Sequence, residues 1–150
     1  MSRYKNLGIQ FTSSGSLWYA QTDLYQRALK AYFKLYKDFL SHNPDVKTSI
    51  HVFDHTILPI LLYGCEIWGY FNTLAARFRN ESIPLDTVYS KIECEKLHIK
   101  FCKRVFGVHQ KCTNFAVLSE LGRFPIHYQI IKQMLGYWHY LENLESSFHY

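Results

Sequence analysis

A mainly α-helical domain with a short β element at its head is the fold class this sequence predicts, and three observations carry it. Apolar residues recur at three- and four-residue steps from about Ser16 onward, the spacing of a buried helix face. Only residues 4–12 (Tyr4, Leu7, Ile9, Phe11) alternate in the manner of a strand. Breakers fall between the periodic runs, at Ser13-Ser14-Gly15-Ser16, at His42-Asn43-Pro44-Asp45, and at Gly122 and Pro125. With 150 residues, 48% hydrophobic and 17% aromatic, the chain can build one domain with a substantial core.

Taken in order, residues 4–12 read as one strand and Ser13 to Ser16 as its turn. Backbone groups in a strand must be paired, which predicts a partner strand upstream. The first helix runs from about Ser16 to Leu40, with Leu24, Ala28, Ala31 and Leu35 as its stripe and Tyr25, Tyr32, Tyr36 and Phe39 beside it. The second runs from about Lys47 to Tyr70 through Ile50, Phe53, Ile57, Leu61, Cys65 and Trp68. Pro59 lies inside that pattern and either kinks it or restarts it as a first-turn proline. Asn72 to Pro84 reads as a connecting loop, basic through Arg77 and Arg79.

A third helix, about Asp86 to Phe106, puts Cys94, Leu97, Phe101 and Val105 on one stripe and Lys96, Lys100, Lys103 and Arg104 elsewhere. The fourth, Asn114 to Leu121, has Thr113 or Asn114 as its cap and Gly122 as a left-handed terminator. Pro125 then opens a fifth, whose buried face is Ile131, Met134, Trp138 and Leu141. Residues 1–15 therefore form a strand-and-turn unit and 16–150 a helical domain of about five helices.

The charge is unevenly spread. Net charge is +5, yet Lys96 to Lys132 holds seven Lys/Arg and one acid, Glu120, so that this segment is +6 and the remainder −1. On the first helix, Arg27, Lys30, Lys34 and Lys37 recur with no acid among them. Like charges at that spacing repel by a few tenths of a kcal/mol per pair, so an unmixed stripe points to an anionic partner. Lys100, Lys103, Arg104, Lys111 and Arg123 form a second candidate set. Arg123, between two helix ends, reads first as part of a helix joint and second as a bidentate phosphate grip.

Residues 1–10 lack the apolar core of a secretory signal, and the longest apolar run, Ile57 to Cys65, is nine residues against about 20 for a bilayer span. No membrane association is expected. Four cysteines without a signal suggest reduced thiols in the cytoplasm or nucleus.

Cys94-x3-His98-x3-Cys102-x6-His109-x2-Cys112 has the residue types of a zinc site but the wrong spacing. Its first three members span about 12 Å of one helix, whereas zinc ligands must all lie within about 2.3 Å of one ion. No metal site is expected. No thiol sits at a helix start beside a base, and Ser13 to Ser16 lacks the Lys-Ser/Thr pair of a phosphate loop. Glu66 stands out as an acid on an apolar helix, and burying it calls for a cationic partner.

Four words stand along the chain in order: Leu7-Gly8-Ile9; Leu58-Pro59-Ile60-Leu61-Leu62-Tyr63-Gly64-Cys65-Glu66-Ile67-Trp68; Phe101-Cys102-Lys103-Arg104-Val105-Phe106-Gly107-Val108; and Glu120-Leu121-Gly122-Arg123-Phe124-Pro125. Their order and spacing resemble the stretch just beyond the polymerase core in reverse transcriptases of non-LTR (LINE-type) retrotransposons. The resemblance covers roughly residues 4–141. It implies a short strand after the primer grip, then an all-helical thumb and its extension.

It also implies a parent RNA-directed DNA polymerase, with magnesium in its palm. RNA, an RNA–DNA template–primer duplex, and the upstream fingers and palm are the implied partners. This chain has no Tyr/Phe-x-Asp-Asp carboxylate pair, so it is expected to be non-catalytic and to carry no cofactor itself. Starting at Met1 just past the core suggests a truncated element copy, a gene-model fragment or one exon of a longer product. A stand-alone helical module binding nucleic acid or an acidic protein, or a relic of the element without function, are the alternatives.

Overall fold

The computed structural model, which describes residues 3–6, 8–13, 17–69 and 92–147, pairs the N-terminal strand within the chain itself. Strand β1 (Arg3–Asn6) runs antiparallel to β2 (Ile9–Thr12), with Asn6 opposite Ile9. Gly8 at φ 85° supplies the positive φ that a two-residue hairpin turn requires. The expectation of one strand needing an upstream partner is corrected: the alternation continues on both sides of a turn that carries no Asn-Gly signal. Tyr4 and Phe11, opposite each other, stack with centroids 5.4 Å apart. Of the Ser13 to Ser16 turn, only Ser13 lies within the described residues.

Helix α1 (Trp18–Asp38) buries Ala20, Leu24, Ala28 and Tyr32, a row at four-residue steps. Leu24 and Ala28 were predicted; Tyr32 takes the place expected of Ala31 and Leu35, which are half-buried. The helix ends close to where expected, through a 3₁₀ turn (Leu40–His42) and a left-handed Asn43. Asp45 then caps α2 (Val46–Thr56), its carboxylate accepting from the Thr48 N–H at 2.9 Å.

The long second helix is broken twice. After α2, Ile57 separates off α3 (Leu58–Leu61), where Pro59 sits in the first turn because it has no N–H to give an interior turn. A turn at Leu62, Tyr63 and Gly64, with Gly64 at φ 66°, separates α3 from helical residues 65–69. Trp68 is fully buried, and its Nε1 donates to the Tyr63 carbonyl at 2.9 Å, closing that turn from inside. The expected loop at Asn72 to Pro84, with Arg77 and Arg79, lies outside the described residues.

Helix α4 (Glu93–Phe106) buries Cys94, Leu97 and Phe101 as predicted, and adds Glu95, His98, Cys102 and Lys103. Gly107 at φ 74° ends it, its N–H on the Arg104 carbonyl and the Val108 N–H on that of Lys103. Helix α5 (Asn114–Glu120) follows, and Gly122 at φ 62° is the predicted left-handed terminator. Pro125 leads into α6 (Ile126–Ser147). That helix buries Ile126, His127 and Ile130, with Ile131 and Met134 half-buried, whereas Trp138 and Leu141 are exposed. The predicted buried face was thus placed too far along α6, which continues past the core it packs on.

The core forms where α1, α2, α3 and α4 meet, with Phe53 stacked on Phe101 at 4.0 Å. Helix α4 also packs on α5 and α6, and β2 lies on α1. Among the described residues, no helix is long and apolar enough to cross a membrane.

Candidate nucleic-acid interface

Helices α1 and α4 pack together, and two cations of α4 rest on two aromatic rings of α1. The Lys100 ammonium lies 5.3 Å from the centroid of Phe33, and the Arg104 guanidinium lies 3.8 Å above the Tyr36 ring while also donating to the Tyr36 hydroxyl. A cation over a ring face is drawn by the ring quadrupole, worth about 0.5–1 kcal/mol at an exposed site. These contacts hold the two charges toward α1. Phe33 falls among the lysines of α1 and is 53% exposed, a position no core demands.

Lys30, Lys34 and Lys37 are exposed on α1, and Lys96, Lys100 and Arg104 are exposed at four-residue steps on α4. Residues 30 to 37 cover about 10 Å of helix, the rise of about three phosphates along one strand of a duplex. Asp38, also exposed, is the acid at the end of the α1 row. The sequence separates the two lysine rows by some sixty positions; packing makes them neighbours. Phe33 was missed in the sequence, although a phenylalanine inside a basic stripe is the signal that finds it.

The remaining members of the predicted sets lie elsewhere. Arg27 pairs with Asp23 one turn earlier and donates to the Gly8 carbonyl at 2.8 Å, tying the hairpin to α1. Lys111 is exposed in the connection beyond the end of α4. Lys103 is corrected: it is buried, its ammonium donating to the Gln110 carbonyl at 2.6 Å, so it braces the turn after α4.

Arg123 sits in the helix joint, the first of its two readings, and the phosphate grip is corrected, since its side chain is 9% exposed and fully engaged. Its two terminal nitrogens bond both oxygens of Asp54 at 2.9 and 2.6 Å, and its Nε donates to His98 Nε2 at 2.9 Å. Because Nε2 accepts, Nδ1 carries the ring proton and donates to Glu95 at 3.2 Å. The other Glu95 oxygen accepts from the Ile126 N–H at 2.7 Å, at the start of α6. Burial works against the Arg123 charge, but the hydrogen bonds and charge of Asp54 outweigh it and hold the guanidinium above its ordinary pKa. Asp54, Arg123, His98 and Glu95 therefore lock α2, α4 and α6 together, a network that no local pattern reveals.

The other singled-out residues are structural. A Cβ at Gly8 would lie 3.4 Å from the Tyr63 ring and one at Gly64 2.5 Å from Ile9, so the hairpin seats closely on the turn after α3. Glu66 is half-exposed, and among the described residues it makes no ion pair. Glu120 is exposed at the end of α5. Cys65, Cys94 and Cys102 are buried free thiols, each pushed up to about 12 by burial. Among the described residues no three His, Cys, Asp or Glu side chains converge as metal ligands. Comparison with protein-family models, characterised proteins and solved structures finds no match to this chain.

Proposed function

We propose that this chain is the thumb and thumb extension of a LINE-type reverse transcriptase, a non-catalytic part that grips the backbone of an RNA–DNA template–primer duplex. The observation that carries this reading is the joined basic face of α1 and α4, in which Lys30, Lys34, Lys37, Lys100 and Arg104 are exposed around Phe33 and Tyr36. Cations spaced along two neighbouring helices meet phosphates without reading bases, the contact a polymerase needs on a product of arbitrary sequence. The resemblance of the four words adds the family. DNA synthesis, with its magnesium, belongs in this reading to the palm of the parent enzyme. The fingers and palm of that enzyme are the protein partners.

Fluorescence anisotropy with a labelled RNA–DNA hybrid tests the reading. With four or five phosphates neutralised, log affinity falls against log salt with a slope of about −4. Charge reversal at Lys34 and Lys37 together lowers that slope by about 2. Binding indifferent to salt, or unchanged by the reversal, would exclude this face as the grip.

A further inference from the structure

Away from the basic face, α2 carries two histidines one turn apart. His51 and His55 are both exposed, and their ring centroids are 4.0 Å apart. Metal–imidazole bonds of about 2.0–2.1 Å bring the two ligating nitrogens to about 3 Å of each other, so two rings with centroids 4.0 Å apart are near enough to share one ion once their ring nitrogens turn toward it. The Nδ1 of His55 lies 2.8 Å from the His51 carbonyl oxygen. A carbonyl can only accept, so Nδ1 holds the proton and the Nε2 lone pair is left for another partner. A backbone carbonyl on the far nitrogen is the support that fixes the tautomer of a metal-bound histidine.

We propose that His51 and His55 form a two-point chelate for an imidazole-seeking dication, copper(II), nickel(II) or zinc, with water in the remaining positions. Copper(II) binds tightest by the general order of divalent affinities. The run His51-Val52-Phe53-Asp54-His55 has the outline of a helical zinc-hydrolase motif, His-x-x-acid-His. Here the acid is spent otherwise: both oxygens of Asp54 are held by Arg123. No free carboxylate from that motif is left to activate a metal-bound water, so the site binds metal and does not hydrolyse. Occupied, it braces two successive turns of α2 and stabilises the folded chain by mass action.

Titration of the full chain with CuCl₂ in a non-chelating buffer, read by calorimetry and electron paramagnetic resonance, tests this. The expected result is one copper per chain with two imidazole nitrogens in its spectrum. His51→Gln or His55→Gln each weakens binding by at least about tenfold. His139→Gln, on α6, leaves it unchanged. Both His positions of α2 are exposed, and circular dichroism checks that the variants keep their helix content. Copper bound equally well by the two α2 variants, or without paired imidazole nitrogens, would overturn the assignment.

Discussion

A side chain at Gly64 would collide with Ile9: a Cβ built there lies 2.5 Å from the Ile9 Cδ1. The strand word and the helix word of this chain are thus two halves of one contact. Gly64→Ala meets two penalties, the clash and the left-handed backbone at φ 66°. The clashing atom is a terminal methyl that can swing away, whereas the backbone conformation costs an L-residue about 1–2 kcal/mol wherever the methyl goes. The backbone term wins. Gly64→Ala is therefore expected to lower unfolding free energy by about 1–2 kcal/mol, and adding Ile9→Val to restore only a minor part. Full rescue by Ile9→Val in urea melts would show that crowding, not backbone, is the cause.

The Arg123–Asp54 pair makes a second expectation. Removing one member of a buried pair costs about 3–5 kcal/mol, and Asp54 is 32% exposed, so the loss here is nearer about 2–3 kcal/mol. Asp54→Ala strands a guanidinium, and Arg123→Met strands the buried His98 Nε2. Arg123→Lys does not restore stability, because an ammonium cannot span both Asp54 oxygens and His98. In Arg123→Met, which removes the charge, the salt dependence of hybrid binding stays at the wild-type slope, since Arg123 faces inward. A slope reduced by about 1 in Arg123→Met would return this residue to the interface.

Local periodicity made the core faces legible. Leu24, Ala28, Phe53, Ile57, Leu61, Leu97 and Phe101 were all expected inside from spacing alone, and all are buried. A helix shows its inner side every three or four residues without reference to what covers it. Where the answer depends on a distant partner, the reading failed. Arg123 does sit in the helix joint but is no phosphate grip, because Asp54, 69 positions away, takes the guanidinium, and Lys103 is drawn inward by the Gln110 carbonyl in the turn just after its helix. On α6, periodicity marked Trp138 as apolar but could not say where the core ends. The joining of the two lysine rows rests on Lys100 over Phe33 and Arg104 over Tyr36, contacts between helices that spacing cannot express.

The buried thiols set the behaviour in base. Burial pushes Cys65, Cys94 and Cys102 up to about 12, while an unfolded thiol ionises at about 8.5. Between those values the unfolded chain gives up protons that the folded chain keeps, so ∂ΔG/∂pH is negative. Their contribution is constant below about pH 8.5 and is lost as pH rises toward 12. With three such groups the slope approaches at most about 4 kcal/mol per pH unit. Urea midpoints should match at pH 7 and 8 and fall at pH 10, less steeply in Cys102→Ala. Iodoacetamide at neutral pH should modify the half-exposed Cys112 first; equal labelling of all four would contradict the burial.

Phe33 offers the sharpest test of the basic face, because it carries no charge. As a support for Lys100, its loss should free the ammonium to swing into solvent. Phe33→Ala is then expected to leave stability within about 0.5 kcal/mol, as befits a side chain that is 53% exposed. Hybrid affinity should nevertheless weaken by about threefold, the equivalent of about 0.7 kcal/mol. Phe33→Leu fills the space but has no ring, so it should behave like alanine, while Phe33→Tyr should behave like wild type. The salt slope should barely change, because the number of cations is unchanged and only their placement is lost. If Phe33→Leu instead binds as well as wild type, the ring is not what positions Lys100, and the two rows act as separate charges rather than one built surface.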